Sequence, residues 1–347
     1  MTNPIWALGR LLKSMEQARN RIKQTDGDVL TKHAHHFRLI ESELQNGVFS
    51  KVSALEKMAS HTLLAPGKRL RPLLFVLCAN LFGYSPHYLY RLSVIFELIH
   101  TASLLHDDVL DNAQVRRKRP SANALWGNHA AVLVGDFLYS KAFVRAVDLA
   151  NLQFFKKLTR TTTIMAEGQV LELLHTADWN MGVETYFDII IAKTAVLISA
   201  ACGCGGIISG ATDEDVSRLE NFGMNMGIAF QMMDDILDYT STEEVFGKPV
   251  GKDLKEGKVT LPLIYTLQDM KRAERERVTS LLNEIGKDGE GYKEVMELVR
   301  KSGALERVKR EAEGYVEKAA RQLEDFPDSE AKDSLLELNQ YIVERPF

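Results

Sequence analysis

Two acidic clusters with identical spacing each close a run of apolar, helix-forming residues. The sequence reads D-D-V-L-D at 107–111 and D-D-I-L-D at 234–238. Residues three or four apart share one face of a helix, and carboxylates held that close repel one another unless a cation lies among them. The apolar neighbours of both clusters disfavour a solvated acidic surface. The pair therefore predicts two helices that face each other across a cation site inside a helical bundle.

The acidic side chains form a set suited to magnesium. The set consists of Asp107, Asp108, Asp111, Asp234, Asp235 and Asp238. Carboxylate-only ligation suits Mg²⁺, which keeps several waters and bridges carboxylates to substrate phosphates. The first cluster is followed directly by a basic group suited to phosphate oxygens, made of Arg116, Arg117, Lys118 and Arg119. Acid, metal and base together predict a diphosphate site.

The hydrophobic periodicity is helical almost throughout the chain. No stretch shows sustained alternation of apolar and polar residues between turn signals, so the sequence predicts an all-α fold that needs no sheet. We expect one large helical domain at 29–347, preceded by a peripheral N-terminal extension at 1–28. A first helix is predicted at about 29–47, and a second follows it and ends at 64. Further helices are predicted at 68–82, 87–112, 122–148, 151–175, 182–209 and 213–239.

Composition disfavours several classes of protein. With 45% apolar and 26% charged residues the chain fits a soluble globular protein, and its net charge of −4 predicts no nucleic-acid partner. Three cysteines are too few for a disulfide framework, and the first residues lack the apolar core of a signal peptide, so we expect a cytoplasmic protein. The uncharged stretch from Thr194 to Thr212 is nearly long enough to span a bilayer. Its many glycines instead favour a buried helix that its neighbours approach closely.

Several motifs in a fixed order along the chain resemble those of the trans-polyprenyl diphosphate synthases. They are G-K-R-L-R-P at 67–72, I-H-T-A-S-L-L-H-D-D-V-L-D at 99–111, G-N-H-A-A-V-L-V-G-D-F-L-Y at 127–139, A-E-G-Q at 166–169, A-K-T-A at 192–195, F-Q-M-M-D-D-I-L-D at 230–238 and G-K-D-L-K-E-G-K-V-T-L-P at 251–262. The resemblance covers about residues 35–347. It implies a single large helical bundle of the isoprenoid synthase type. It also implies a prenyltransferase that joins an allylic diphosphate (farnesyl or geranylgeranyl diphosphate) to isopentenyl diphosphate with two or three Mg²⁺ ions.

The same resemblance implies roles for individual residues. Isopentenyl diphosphate would be held by Lys68, Arg71, His100 and Arg117. The allylic diphosphate would be held by Arg116, Lys193, Thr194, Gln231, Lys248 and Lys258. The main metal ligands would be Asp107, Asp111 and Asp234. The other three aspartates of the clusters would lie close by, and Lys193 would join all six in catalysis.

Small residues precede the first cluster and bear on the length of the product. Positions four and five before Asp107 lie one helical turn back, and here they are Ser103 and Ala102. Without bulk at these positions a growing tail could pass further down the helix, toward Ile99 and then Phe96. We therefore expect a long-chain product, with octaprenyl diphosphate for a quinone side chain as the specific hypothesis.

Other interpretations remain open from the sequence. A shorter product, such as geranylgeranyl or farnesylgeranyl diphosphate, would follow if Phe96 or a bulky residue on another helix closed the pocket early. A terpene cyclase shares the fold but would have no use for a second, basic diphosphate site. A non-catalytic subunit of a heteromeric synthase would have no need of all six aspartates. The resemblance further implies a homodimer, and the apolar product suggests transient membrane contact during its release.

Overall fold

The computed structural model describes residues 28–240, 251–288 and 291–344. Within these ranges the chain is helical almost throughout, which confirms the prediction of an all-α fold. The N-terminal half contains α1 (Asp28–Lys32), α2 (Ala34–Gly47), α3 (Ser53–Leu63), α4 (Leu70–Asn80), α5 (Leu89–Leu110), α6 (Ala122–Trp126), α7 (Asn128–Asp148) and α8 (Leu152–Leu174). The remainder contains α9 (Val183–Ile190), α10 (Val196–Ile208), α11 (Asp213–Thr240), α12 (Lys252–Lys255), α13 (Leu261–Asp269), α14 (Arg272–Asp288), α15 (Gly291–Lys301), α16 (Ala304–Arg321) and α17 (Glu330–Glu344).

Long helices α5, α10 and α11 form the centre of the bundle. Helix α5 packs against α7, α4 and α2, while α11 packs against α10 and α16. Three fully buried aromatic rings, from α4, α5 and α8, meet in the core: Phe75 and Phe96 have centroids 5.3 Å apart, and Phe96 and Phe154 are 6.2 Å apart. Burial of one such side chain contributes about 1.5–3 kcal/mol. This packing fixes the direction of α5, whose last turn carries the first acidic cluster.

A continuous apolar helix runs from Val183 to Ile208, and it includes a π-helical segment at Ile191–Ala195 between α9 and α10. It is the one helix of the described ranges whose length and composition would allow it to cross a membrane, yet 72% of its most apolar window is buried inside the protein. A Cβ atom on Gly205 would lie 2.6 Å from the carbonyl oxygen of Phe75. The uncharged stretch is thus a core helix with closely packed neighbours, as its glycines predicted.

The structure departs from the sequence prediction at three places. An antiparallel hairpin of β1 (Val115–Arg116) and β2 (Arg119–Pro120) lies where no strand was expected. Its strands are too short for the alternation of apolar and polar residues to reveal them. The helix predicted at 122–148 is split at Gly127, whose φ of +83° no α-helix accommodates. The first predicted helix is interrupted at His33, between α1 and α2. The proposed extension at 1–28 lies outside the described residues except for Asp28.

Candidate active site

The carboxylates of the first acidic cluster lie in different environments at the end of α5. Asp107 and Asp111 are half-buried, whereas Asp108 is only 1% exposed. Asp108 accepts a hydrogen bond from Arg116 Nε at 2.7 Å, so this ion pair ties the β1–β2 hairpin to α5. Burial raises the pKa of Asp107, although the Lys193 ammonium opposes the shift. Asp108 is therefore engaged inside the protein, and Asp107 and Asp111 are the more accessible carboxylates of the cluster.

The second cluster, in α11, shows the same division. Asp235 is buried and accepts hydrogen bonds from the Tyr186 hydroxyl at 2.6 Å and from Gln231 Nε2 at 2.9 Å. Asp238 is buried as well, and its carboxylate accepts two backbone N–H groups at the start of α12, at 3.2 and 3.1 Å. Asp234 is half-buried. Two of the three carboxylates thus support the fold around the site, and Asp234 is the most accessible of the three.

The segment 251–258 connects the two clusters, which the sequence places far apart. Its N-terminal end is bound by Asp238, and at its other end Lys258 Nζ donates a hydrogen bond to Asp111 Oδ2 at 3.2 Å. Lys258 also bonds Glu256 at 2.8 Å. Burial acts to lower the pKa of Lys258, but the surrounding carboxylates outweigh it and raise that pKa above its ordinary value. The clusters therefore belong to one site, with Lys258 as a cation inside its acidic part.

The π-helical segment presents Lys193 and Thr194 to this site. Lys193 pairs with Glu172 of α8, and the Thr194 hydroxyl donates to Gln231 Oε1 at 2.8 Å. The segment is packed from both sides against glycine: a Cβ on Gly168 would lie 2.4 Å from Ala192 Cβ, and one on Gly227 would lie 2.6 Å from Ala195 Cα. A π-bulge inside an α-helix is often found at a functional site. Here it places Thr194 beside Gln231, on the helix of the second acidic cluster, and Lys193 within electrostatic range of Asp107 in the first.

A basic pocket lies beside the clusters and contains Arg71, His100 and Arg117. Burial lowers the pKa of His100 far below its ordinary value, and the positive charges of Arg71 and Arg117 reinforce the shift, so this imidazole is neutral. The buried Nε of Arg71 has no hydrogen-bond partner in the structure. Arg71 also lies within electrostatic range of Asp234, which connects the basic pocket with the second cluster. An anion is the ligand that such a concentration of guanidinium groups favours.

Lys68, another predicted ligand of isopentenyl diphosphate, is exposed at the surface. Its ammonium contacts Tyr341 of α17, 3.4 Å from the hydroxyl oxygen and 5.3 Å from the ring centroid. Lys248, another predicted diphosphate ligand, lies outside the described residues. The structure thus brings Arg71, His100 and Arg117 within electrostatic range of one another, and the roles of Lys68 and Lys248 stay predictions.

Arg69 is a buried structural arginine that the sequence did not distinguish from its neighbours. It bonds Glu41 at 2.7 Å and Glu97 at 2.8 Å, and its remaining terminal nitrogen donates to the carbonyl oxygens of Leu63 and Ala65. Its φ is +49°, in the left-handed region that costs a non-glycine residue energy. These bonds hold the turn before α4 and so fix the direction from which Arg71 enters the pocket.

The residues assigned to product length line the buried face of α5. Phe96, Ile99 and Ala102 are fully buried, and the half-buried Ser103 donates its hydroxyl to the carbonyl oxygen of His100 at 2.8 Å. Phe96 belongs to the aromatic group of the core described above. The small residues therefore lie nearer the first cluster, and the bulky aromatic side chains lie deeper in the bundle.

Three acidic residues near the site were missed by the sequence interpretation. Glu172 pairs with Lys193, Glu256 pairs with Lys258, and Asp253 is close enough to contribute to the raised pKa of Lys258. Each lies within or one helical turn from a motif that was recognised, at 166–169 or 251–262. That proximity was the available signal, but surface glutamates at the same spacing are common.

Comparison with known proteins decides the family. The model of the polyprenyl synthetase family matches residues 52–299. The chain belongs to this family. As a polyprenyl synthetase it is a prenyltransferase, and its fold is that of the isoprenoid synthases.

Its relatives match most of this polyprenyl synthetase. It is 36% identical to octaprenyl diphosphate synthase of Escherichia coli over 85% of this chain and 91% of that one. It is 34% identical to heptaprenyl diphosphate synthase component 2 of Bacillus subtilis over 100% of both. Among solved structures, a Caulobacter crescentus polyprenyl synthase complexed with calcium and isoprenyl diphosphate has a TM-score of 0.87 and 35% identity, covering 93% of this chain and 99% of that one.

Proposed function

We propose that this prenyltransferase joins an allylic diphosphate to successive isopentenyl diphosphates in a Mg²⁺-dependent reaction. The observation that carries the proposal is the presence of two anion sites of different chemistry side by side. One contains the acidic clusters with Lys193 and Lys258, which suits a metal-bound diphosphate. The other contains Arg71, His100 and Arg117, which suits a diphosphate bound without metal. A terpene cyclase, with one diphosphate substrate, would need only the first.

The carboxylates fit a magnesium site that is completed by substrate. In the ranges the structure describes, no three metal-binding side chains converge closely enough to hold an ion by themselves. Mg²⁺ is commonly bound by one or two carboxylates with waters and substrate phosphates. Asp107, Asp111 and Asp234 are the more accessible carboxylates and would hold the ions, while Asp108, Asp235 and Asp238 support them from behind. The relative from Caulobacter crescentus was solved with calcium and isoprenyl diphosphate, which supports a divalent cation in the proposed reaction.

The chemistry that we propose needs charge stabilisation more than a side-chain base. Bound Mg²⁺ would neutralise charge that develops on the leaving diphosphate. Lys193, Arg116 and Lys258 would hold the diphosphate oxygens as the allylic carbon–oxygen bond breaks and its electron pair leaves with oxygen. The double bond of isopentenyl diphosphate, oriented by Arg71 and Arg117, attacks the allylic cation. The departing diphosphate then takes the proton that the new product loses, and the apolar bundle excludes water from the cation.

We further propose a long-chain product, with octaprenyl diphosphate as the specific length. The small side chains of Ala102 and Ser103 support this proposal, because they leave room beside the first acidic cluster. The relatives named above make octaprenyl and heptaprenyl products according to their names, so the length for this chain is a proposal. The aromatic group at Phe96 is the candidate for the floor of the pocket.

A second candidate is the role of one component in a heteromeric synthase. The Bacillus subtilis relative is named as component 2 of such an enzyme and matches this chain over its full length. Exposed apolar side chains on α7 and α8 favour an assembly of some kind, either this or a homodimer. They include Val132, Leu133, Val144, Val147, Val170, Leu173 and Leu174.

We also propose a cytoplasmic enzyme, with three reduced, buried cysteines, that contacts a membrane when it releases its product.

The decisive experiment incubates the purified chain with farnesyl diphosphate, isopentenyl diphosphate and Mg²⁺, with the products dephosphorylated and sized by mass spectrometry. A ladder that ends near eight isoprene units supports the reaction and the product length. A ladder that stops at four or five contradicts only the length. Light scattering on the same sample gives the oligomeric state. An inactive chain that is folded and monomeric would contradict the homomeric synthase and favour the two-component one.

A further inference from the structure

The β1–β2 hairpin carries Arg116 and Arg117 on a strained backbone. Its two turn residues, Arg117 and Lys118, have φ of +50° and +61°, and both are in the left-handed region. This is the conformation that two-residue hairpin turns require, and glycine or asparagine usually occupies it. For other residues such a conformation costs of order 1–3 kcal/mol each and persists only where surrounding contacts enforce it. The contacts that hold this hairpin therefore decide where its arginines lie.

One side of the hairpin is held by direct bonds to the body of the protein. Arg116 is paired with Asp108, and Arg117 Nη1 donates to the carbonyl oxygen of Pro66 at 2.7 Å. Beside these bonds a cleft lies between the hairpin, α3 and α5. The cleft is lined by His61, Thr62, Thr101 and Leu104 on the one hand and by the hairpin residues on the other.

His61, in the last turn of α3, bridges this cleft. Its Nε2 lies 2.9 Å from the carbonyl oxygen of Pro120, and its Nδ1 lies 3.1 Å from Nη2 of Arg119. A carbonyl oxygen only accepts and a guanidinium only donates, so the partners select the neutral imidazole with its proton on Nε2. The ring also packs edge-on against Trp126, with centroids 5.1 Å apart. Both ring nitrogens of His61 are thus used to hold strand β2.

We propose that His61 is a positioning residue for the diphosphate-binding arginines of the hairpin. Its hydrogen bonds go to Pro120 and Arg119 and not to a carboxylate of either acidic cluster. It acts through Arg119 and Pro120, which are directly paired with the strand that ends in Arg116. Loss of the bridge would let the strained turn relax and would move Arg117 relative to Arg71 and His100. The inference rests on the proposed function, because that function assigns Arg117 to the binding of isopentenyl diphosphate.

The test compares His61→Phe, which keeps the ring against Trp126 and loses both hydrogen bonds, with His61→Gln, which can still donate to Pro120. Two readouts are used. Steady-state kinetics shows whether the change affects the KM for isopentenyl diphosphate or kcat, and calorimetry gives the Kd for inorganic pyrophosphate without metal. We expect His61→Phe to raise KM and Kd about fivefold, which corresponds to roughly one hydrogen bond, with little change in kcat. His61→Gln should recover part of the loss. His87→Phe, at an exposed histidine distant in sequence from the hairpin, is the matched control and should leave both values unchanged.

A double-mutant cycle with Arg119→Gln adds a second criterion. If His61 acts through Arg119, the double variant should be little worse than the more damaged single variant; strictly additive losses would contradict the coupling. A folded His61→Phe protein with unchanged KM and Kd overturns the inference. A His61→Phe protein in which only kcat and thermal stability fall also overturns the inference, because a purely structural role would give that result. Arg117→Gln must weaken pyrophosphate binding too, or the route through Arg117 is wrong. The pyrophosphate experiment decides the inference even if the chain fails to elongate any substrate.

Discussion

The Lys258 ammonium donates a hydrogen bond to the Asp111 carboxylate at 3.2 Å, across 147 residues of sequence. It thereby joins the first acidic cluster to the segment 251–258, whose backbone N–H groups donate to the carboxylate of Asp238 in the second cluster. A lysine in this position partly neutralises the carboxylates of the site, and its donors are suited to diphosphate oxygens. The contact makes Lys258 the structural link between the two halves of the acidic site.

Replacing Lys258 with methionine removes this cation from Asp111 and Glu256. Since a hydrogen bond to a charged group contributes about 1.5–3 kcal/mol, we expect kcat/KM for the allylic diphosphate to fall at least tenfold. Steady-state kinetics at saturating isopentenyl diphosphate measures this. Lys255→Met is the matched control, because Lys255 is an exposed lysine of the same segment that contacts the Tyr292 ring. Equal kinetics in the two variants would contradict a role for Lys258.

Gly168→Ala tests whether the π-helical segment must pack against glycine. The added Cβ would meet Ala192 Cβ at 2.4 Å and push Lys193 and Thr194 away from the site. We expect unfolding free energy to fall by about 1–3 kcal/mol, as is typical of overpacking, together with a lower kcat. The second change Ala192→Gly should restore part of both.

Gly314→Ala serves as the control for that experiment, since a Cβ there would meet no atom within 4 Å other than those of its chain neighbours and its own helix backbone. An alanine inside helix α16 should stabilise the protein slightly. Chemical denaturation and kcat measured on all variants give the comparison. Full activity and stability in Gly168→Ala would show that the segment can shift without harm.

Ala102→Tyr tests the pocket for the growing tail. Ala102 is fully buried one turn before the first cluster, so a tyrosine there should block the tail and shorten the product. Phe96→Ala should instead leave the product at least as long, because Phe96 lies deeper in the bundle. Mass spectrometry of the dephosphorylated products measures both. An unchanged product distribution in Ala102→Tyr would mean that the tail runs elsewhere.

Because His36 is partly buried in the folded protein, we expect the protein to lose stability in mild acid. Its Nδ1 lies 2.9 Å from the Tyr90 hydroxyl, and burial lowers its pKa to about 4, with the charges of His33 and His35 acting in the same direction and Glu330 opposing. The unfolded chain takes up a proton near pH 6.5, whereas the folded protein resists protonation to about pH 4. The stabilisation is thus complete above pH 6.5 and is lost as the pH falls toward 4.

We expect His36→Gln to flatten the dependence of unfolding free energy on pH between 4 and 6.5. Urea denaturation at several pH values measures the slope. His129→Gln, at an exposed position of α7, is the control, because His129 is not among the groups that shift the pKa of His36, and it should keep the slope of the unaltered protein. Identical slopes in both variants would assign the acid sensitivity to other groups.

Much of the fold followed from local patterns. The sequence located α4, α5, α8 and α11 to within a few residues, because each is a run of apolar, helix-forming residues between turn or polar residues. The hairpin at Val115–Pro120 did not follow, because its turn residues Arg117 and Lys118 are not those that usually adopt φ above zero. Tertiary bonds from His61 and Asp108 hold it in place instead.

The sequence by itself determined the helical class and the two acidic clusters, which depend on residue types and on spacings of three or four, both local properties of a helix. The basic pocket was implied by the resemblance of the sequence motifs to a family. Only the tertiary structure decided that Asp108, Asp235 and Asp238 are engaged within the protein. It likewise decided that Arg69 is structural while Arg71 points to the pocket, and that Lys258 lies against Asp111. Such distinctions depend on partners that are distant in the chain, and a hydrogen bond between them leaves no periodic signal in the sequence.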